Sequence, residues 1–251
     1  MSNMKVVILA GGLGTRISEY TKTIPKPMIK INKLPILLHI MKIYISYGYT
    51  KFYIASGYKK KIIEKYFKNF ERNGEEFHQI LFKKKCLINI LDTGKKTMTG
   101  GRLKRVSKYI KKNENFMFTY GDGLSNVNLL KLEKFHLKNK RIVTVTAVRP
   151  PARFGELTIN RKIVTKFLEK PQVSKGWING GFFVANKKIF KFIKNEKTIL
   201  EKDPLEKLAR KKNLIAFKHY GFWRCMDTKR DKDLLEKISK SKNIEWSRKK
   251  S

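Results

Sequence analysis

The sequence predicts an α/β protein built on a doubly wound, mostly parallel sheet with a C-terminal α+β elaboration. Three observations lead there. The chain opens on the run Lys5-Val6-Val7-Ile8-Leu9-Ala10, continuously apolar from Val6 and closed by Gly11-Gly12, the pattern of a strand buried on both faces of a parallel sheet. Strand-like and helix-like stretches then alternate as far as Val148, which is the rhythm of β-α-β units. Beyond that point hairpins and short helices replace the alternation. The 251 residues allow one large domain or two small ones at a soft prior of about 150 residues each. No linker, repeat or low-complexity block divides them, so 1–251 reads as a single domain.

The elements follow in order. From Pro35 the apolar residues Ile36, Leu37, Ile40, Met41 and Tyr44 recur at helical spacing, and Gly48 supplies a C-terminal cap. Lys51–Ser56 reads as the next strand and 60–70 as another helix. The alternation continues with a strand at 88–92, a helix at 102–111, a strand at 116–120, a helix at 128–139 and a strand at Val143–Val148. Leu157-Thr158-Ile159 and Ile163–Leu168 flank Asn160-Arg161, a hairpin signal. Residues 180–184 form a further strand, Pro204 opens a short helix, and 229–240 reads as a helix. The polar, basic end 239–251 is expected to fray apart from Trp246. Segment 69–95 breaks the α/β rhythm.

Charge is the anomaly of the composition. Lys and Arg number 58 against 20 Asp and Glu, a net charge of +38, which invites a polyanion or an anionic membrane as partner. The bases do not gather into one arm. They fall between apolar residues, as in Tyr58-Lys59-Lys60-Lys61-Ile62-Ile63, and the excess of Lys, Ile, Asn, Phe and Tyr is one an A/T-rich genome also produces. A solvated cationic surface with no specific nucleic-acid partner is expected, and each remaining carboxylate becomes informative. Cys86 and Cys225 form no CxxC and no disulfide framework, which fits a reducing cytoplasm. Met1-Ser2-Asn3-Met4 lacks the basic segment and apolar core of a signal peptide. The longest apolar stretch, 36–49, is interrupted by His39 and Lys42 and is too short for a bilayer. A soluble cytoplasmic protein without membrane attachment is the expectation.

The first candidate site is Leu9-Ala10-Gly11-Gly12-Leu13-Gly14-Thr15-Arg16. Glycines after a buried strand let the backbone approach a ligand and point N–H groups at phosphates. No Lys-Ser/Thr follows, so this is not a Walker loop. Ile17 stands where a dinucleotide fingerprint needs a third glycine. A plain tight turn would need the same glycines. Arg16 and Pro25-Lys26-Pro27-Met28 add chemistry: a guanidinium and a lysine restricted between two prolines can grip a triphosphate from two directions.

Asp122, bracketed by Gly121 and Gly123, follows a strand and falls where open α/β sheets bind ligands. Asp227 lies in Cys225-Met226-Asp227-Thr228. Two carboxylates with phosphate oxygens and water make a hard octahedral Mg²⁺ site. The bland alternatives are a turn residue for Asp122 and a helix N-cap for Asp227. His39, His78, His136 and His219 are isolated, no Gly-x-Ser-x-Gly elbow occurs, and Cys225 reads as a small core residue.

Gly-Gly-x-Gly-Thr-Arg followed by Pro-Lys-Pro-Met resembles the sugar-1-phosphate nucleotidyltransferases. The likeness extends over nearly the whole chain, from Met4 to about Trp246, through 97–105, Tyr120-Gly121-Asp122-Gly123, Glu169-Lys170-Pro171, Asn179-Gly180-Gly181-Phe182-Phe183 and Phe222-Trp223 to Asp227-Thr228. The blocks 98–105 and 223–227 point to the cytidylyl branch. The resemblance implies a nucleotidyltransferase, Rossmann-like fold, with 4–150 as the nucleotide-binding half and 151–246 as the sugar-phosphate half.

It also implies the reaction CTP + α-D-glucose 1-phosphate → CDP-glucose + pyrophosphate. Nucleotide contacts would come from Leu9 to Arg16, Lys26, Thr97, Arg102 and Gly121. The sugar phosphate would meet Gly155, Glu169, Lys170, Asn179 and Gly180. Arg16, Lys26 and Asp122 would be catalytic, with Mg²⁺ on Asp122 and Asp227. Segment 69–95 would help build a homo-oligomer, often a hexamer in this family. A dTTP, UTP or GTP transferase is the nearest alternative, and a non-catalytic basic nucleic-acid-binding protein the alternative of another class.

Overall fold

The computed structural model describes residues 4–67, 76–150, 156–168, 176–241 and 243–247. The opening apolar run forms β1 (Val6–Ala10), buried at every position. A 3-10 turn (Thr15–Ile17), the one-turn helix α1 (Ser18–Thr21) and a second 3-10 turn (Lys26–Met28) follow. The ribbon β2 (Lys30–Ile31) and β3 (Leu34–Pro35) leads into α2 (Ile36–Ser46), then β4 (Lys51–Ser56) and α3 (Lys60–Tyr66). Gly48, at φ +89°, turns the chain out of α2 as expected. Next come β5 (Glu76–Leu81), β6 (Lys84–Asp92), α4 (Thr99–Arg105), β7 (Asn115–Tyr120), β8 (Gly123–Ser125), α5 (Leu129–Asn139) and β9 (Val143–Val148). The hairpin β10 (Glu156–Asn160) and β11 (Ile163–Leu168) precedes β12 (Ile178–Asn186), α6 (Asp203–Arg210), β13 (Leu214–His219), β14 (Trp223–Cys225) and α7 (Lys229–Ser239).

Eight strands make one sheet in the order β13-β9-β12-β7-β1-β4-β6-β5. Neighbours pair in parallel except around β12, which is antiparallel to both β7 and β9, and at β5, antiparallel to β6. The doubly wound, mostly parallel sheet is therefore present. Adjacent strand residues point to opposite faces, so Phe182 joins one apolar cluster and Phe183 the other. The first cluster takes α2, α5 and α7 through Leu37, Leu132 and Leu235. The second takes α4 and α6 through Leu103 and Leu208. Phe118 and Phe183 stack across β7 and β12 with centroids 4.2 Å apart. Strand β12, from the C-terminal part of the chain, thus lies inside the sheet between two strands of the N-terminal part.

Several boundaries differ from the sequence expectation. The helix expected at 102–111 begins at Thr99 and ends at Arg105, with a 3-10 turn at Ser107–Tyr109. Its first turn carries Gly100 and Gly101, poor helix formers by propensity, yet both are packed against backbone. A Cβ on Gly101 would lie 2.4 Å from the Glu196 carbonyl oxygen, and one on Gly100 2.8 Å from that of Thr198. The N–H groups of Met98 and Gly100 donate to those same carbonyls at 2.8 and 3.0 Å. A distant segment therefore satisfies donors that a helix start leaves unpaired. Strand 88–92 extends back to Lys84 because β5 pairs beside it. Of the expected helix 60–70, residues 68–70 lie outside the described residues. Trp246 is buried as expected, edge-on to His39 at 5.7 Å. Among the described residues no helix is long and apolar enough to cross a membrane.

Candidate active site

The carboxyl ends of β1 and β7 open onto a cleft of about 730 Å³. Every residue from Leu9 to Arg16 lines it, with Lys26, Thr97, Arg102, Gly121, Asp122, Asn179, Gly180 and Asp227. Gly155, Glu169 and Lys170 lie outside the described residues.

The glycine loop is shaped by two different constraints. Gly14 has φ +67°, a left-handed conformation that favours glycine, and its carbonyl accepts the Ile17 N–H at 3.1 Å. Gly11 is needed for space: a Cβ there would lie 2.1 Å from Nη1 of Arg102. Arg102 is 4% exposed. Its Nη1 donates to the Gly94 carbonyl at 2.7 Å and to Thr93 Oγ1 at 2.8 Å, and Nη2 to the Lys95 carbonyl at 3.3 Å. Burial, with Arg105 nearby, lowers its pKa to about 10, so it stays charged at neutral pH behind the loop. Gly121 at the end of β7 is similarly confined, its Cβ position 3.0 Å from both the Leu9 carbonyl and the Pro27 ring.

Asp122 and Asp227 meet through a local device. Strands β8 and β14 pair antiparallel with Gly123 opposite Cys225, and Met226 N–H donates to the Asp122 carbonyl at 2.9 Å. This ribbon brings the two carboxylates together at the cleft floor. Asp227 is not the N-cap of α7. Thr228 is, its hydroxyl accepting the Asp231 N–H while the Asp231 carboxylate accepts the Thr228 N–H. The Asp227 side chain is thereby left to the cleft.

Lys26 Nζ sits between the carboxylates, 2.6 Å from Asp122 Oδ2 and 2.7 Å from Asp227 Oδ1. Arg16 Nη1 takes the other oxygen of Asp227 at 2.7 Å. The Lys26 side chain is 11% exposed and that of Arg16 73%. Burial alone would lower the lysine pKa, but the neighbouring carboxylates outweigh it and hold the group above the usual range. For Asp227 burial works upward, and Lys26 with Arg16 overcomes it, leaving the carboxyl below its ordinary value. Asp122, Cys225 and Asp227 present ligand atoms within 4.8 Å of one another. The two carboxylates are hard oxygen donors facing an open cleft, so they fit Mg²⁺ completed by phosphate and water oxygens. The Cys225 thiol beside them is pushed up by burial.

The opposite wall is built on a bulge. Strand β12 shifts register between Asn179 and Phe183, with Gly181 at φ +79°, and such a bulge re-aims side chains. Asn179 Oδ1 accepts the Gly181 N–H at 2.8 Å, and its amide donates to the Tyr120 hydroxyl at 3.2 Å. That hydroxyl donates to Glu201 Oε1 at 2.5 Å, and Thr99 Oγ1 donates to Glu201 Oε2 at 2.6 Å. Trp223 Nε1 donates to the Gly180 carbonyl at 2.7 Å. The sequence reading missed Tyr120, Thr99, Glu201 and Trp223 as site residues. Tyr120, Thr99 and Trp223 stand inside the motifs 120–123, 97–105 and 222–228 and could have been found there. Glu201, in Leu200-Glu201-Lys202, has no local signal.

Comparison with known proteins extends these observations. Residues 5–242 match the model of the family described as nucleotidyl transferase. The glucose-1-phosphate cytidylyltransferase of Salmonella typhimurium is 44% identical over 241 residues, covering 91% of this chain and 93% of that one. The probable glucose-1-phosphate cytidylyltransferase of Bacillus subtilis is 42% identical over 235 residues, at 90% and 92% coverage. Among solved structures, HddC from Yersinia pseudotuberculosis complexed with GMP-PN has a TM-score of 0.69 at 26% identity, over 94% of this chain and all of that one. The inositol-1-phosphate CTP transferase of T. maritima, at 16% identity, 96% and 98% coverage and a TM-score of 0.67, shares the fold. With the sequence matched across both walls of the cleft, the chain belongs to the nucleotidyl transferase family.

Proposed function

We propose that this chain transfers the cytidylyl group of CTP to α-D-glucose 1-phosphate, forming CDP-glucose and releasing pyrophosphate. One observation supports this reading above the rest: the Arg16–Asp227–Lys26–Asp122 ion cluster lines the same cleft as the glycine loop, in a chain 44% identical to a glucose-1-phosphate cytidylyltransferase.

The attacking sugar-phosphate oxygen is already an anion, so no general base is needed. The barrier comes from repulsion between two anions and from charge growing on the leaving pyrophosphate. The chain's residues answer both. N–H groups of the loop 11–14 and the Arg16 guanidinium receive the β- and γ-phosphates, and Lys26 holds the reacting α-phosphate. Arg102 adds a fixed positive charge behind Gly11. Asn179 and the Gly180 backbone orient the sugar, with Gly155 and Glu169 on the same side, and Lys170 grips its phosphate. Asp122 and Asp227 would hold Mg²⁺, which when bound neutralises phosphate charge. The transfer is a single in-line displacement without covalent intermediate.

The same reading takes 4–150 and 151–246 as nucleotide and sugar-phosphate halves, and a cytoplasmic homo-oligomer in which 69–95 contributes contact. Ile80 on the edge strand β5, 75% exposed, supports that contact. Incubation with CTP, glucose 1-phosphate and Mg²⁺ is expected to yield CDP-glucose and pyrophosphate in equal amounts. With CTP carrying a chiral α-thiophosphate, the product should show inversion at phosphorus. Retention would reveal a covalent nucleotidyl-enzyme and overturn the single displacement.

A further inference from the structure

The ion cluster has a property that phosphate binding alone does not require. Lys26 and Arg16 together contribute two positive charges, Asp122 and Asp227 two negative ones, so the cluster is neutral as it stands. Three of the four carboxylate oxygens carry a cationic partner: Asp122 Oδ2 and Asp227 Oδ1 share the Lys26 ammonium, and Asp227 Oδ2 has Arg16. The ammonium occupies the space between the carboxylates where a bridging cation would sit. Its side chain is 11% exposed, so it is held there by burial as well as by charge. A divalent ion and Lys26 therefore compete for the same oxygens.

We propose that Lys26 is an internal counter-ion that keeps divalent metal out of the free protein and is released to the nucleotide when metal enters. The proposal rests on the metal-site reading of Asp122 and Asp227 given above. Its physical content is an exchange of partners. Without substrate, expelling Lys26 from two carboxylates leaves a buried ammonium unpaired, which is costly. With a triphosphate in the cleft, phosphate oxygens replace the carboxylates as its partners, and Asp122 and Asp227 become available to the ion. Metal and triphosphate then favour each other's binding, and the coupling is reciprocal. A free enzyme so built takes up metal together with nucleotide, and is guarded against binding metal alone.

The test is Mn²⁺ binding to the nucleotide-free protein, read by loss of the free-ion EPR signal. Mn²⁺ takes the same carboxylate and water oxygens as Mg²⁺. Lys26→Met is expected to bind Mn²⁺ at least about tenfold more tightly than the unmodified chain, within the range that ordinary coupling energies produce. Arg16→Gln, which frees one oxygen of Asp227 at an exposed site, should tighten binding by less and cannot be dismissed as a folding failure. Lys96→Met is the control for charge alone. Lys96 lines the same cleft without an ion pair to either carboxylate among the described residues, and its removal should change affinity less than twofold. Equal tightening in Lys26→Met and Lys96→Met would show a general field effect and overturn the counter-ion role, as would no tightening in Lys26→Met. Asp227→Asn separates the two readings. If it abolishes Mn²⁺ binding while Lys26→Met gains nothing, the metal site stands and the counter-ion fails. If Asp122→Asn and Asp227→Asn, each made in the Lys26→Met background, both leave binding unchanged, the metal site fails and the proposal with it.

Discussion

Replacing Lys26 with alanine is expected to lower kcat with CTP and glucose 1-phosphate by about 10²–10³, the usual loss when one preorganised charge contact to a transition state is removed. The expectation follows from where Lys26 is held. Pro25 and Pro27 restrict its backbone, the 3-10 turn at Lys26–Met28 presents it to the cleft, and two carboxylates fix the ammonium at 2.6 and 2.7 Å. With its backbone restricted and its side chain already buried at the cleft, Lys26 loses little freedom when phosphate arrives and has only to exchange carboxylate for phosphate partners. Arg16, with a side chain 73% exposed, keeps more freedom and should cost less when removed. Steady-state kinetics at saturating substrate read the effect directly. A Lys26→Ala enzyme with near-native kcat would remove this residue from the chemistry.

The largest stability effect is expected from Gly101→Ala. The new Cβ would meet the Glu196 backbone at 2.4 Å from its oxygen, 2.5 Å from Cα and 2.7 Å from its carbonyl carbon. Backbone cannot rotate away as a side-chain end can. Either α4 moves off the segment around Glu196 or that segment moves off α4, and overpacking of this kind costs about 1–3 kcal/mol or more. The carbonyl bonds to Met98 and Gly100 would lengthen with it. Activity should fall too, because α4 carries Arg102 to its place behind Gly11. Urea unfolding monitored by circular dichroism measures the loss. Gly12→Ala is the comparison: nothing lies within 4 Å of its Cβ position, and its stability should stay within about 0.5 kcal/mol of the parent.

Much of this arrangement was legible in the residues. Buried strands such as Val6–Ala10 and Lys51–Ser56 announce themselves by unbroken apolar stretches, in the second case Phe52 to Ala55, and Gly48 by its place after a helical repeat. Asp122 was legible because it stands between two glycines at a strand end. What escaped depended on partners distant in the chain. Helix α4 begins at glycines that local propensity rejects, and only the Glu196–Thr198 backbone explains them. The reversal of β12 between β7 and β9 leaves no mark, since a strand buried on both faces reads alike in either direction. Asp227 was open between cap and ligand in the sequence, and the capping box that Thr228 and Asp231 form themselves removes the cap. Glu201 is one acid among many lysines, and only the fold sets it beneath Tyr120.

The most direct measurement is the rate of pyrophosphate release with glucose 1-phosphate and Mg²⁺, with CTP, dTTP, UTP and GTP each supplied in turn. The highest kcat/KM is expected with CTP, together with loss of that rate in Asp122→Asn and Asp227→Asn. A chain that prefers another triphosphate, or one that releases pyrophosphate as fast without these carboxylates, would contradict it.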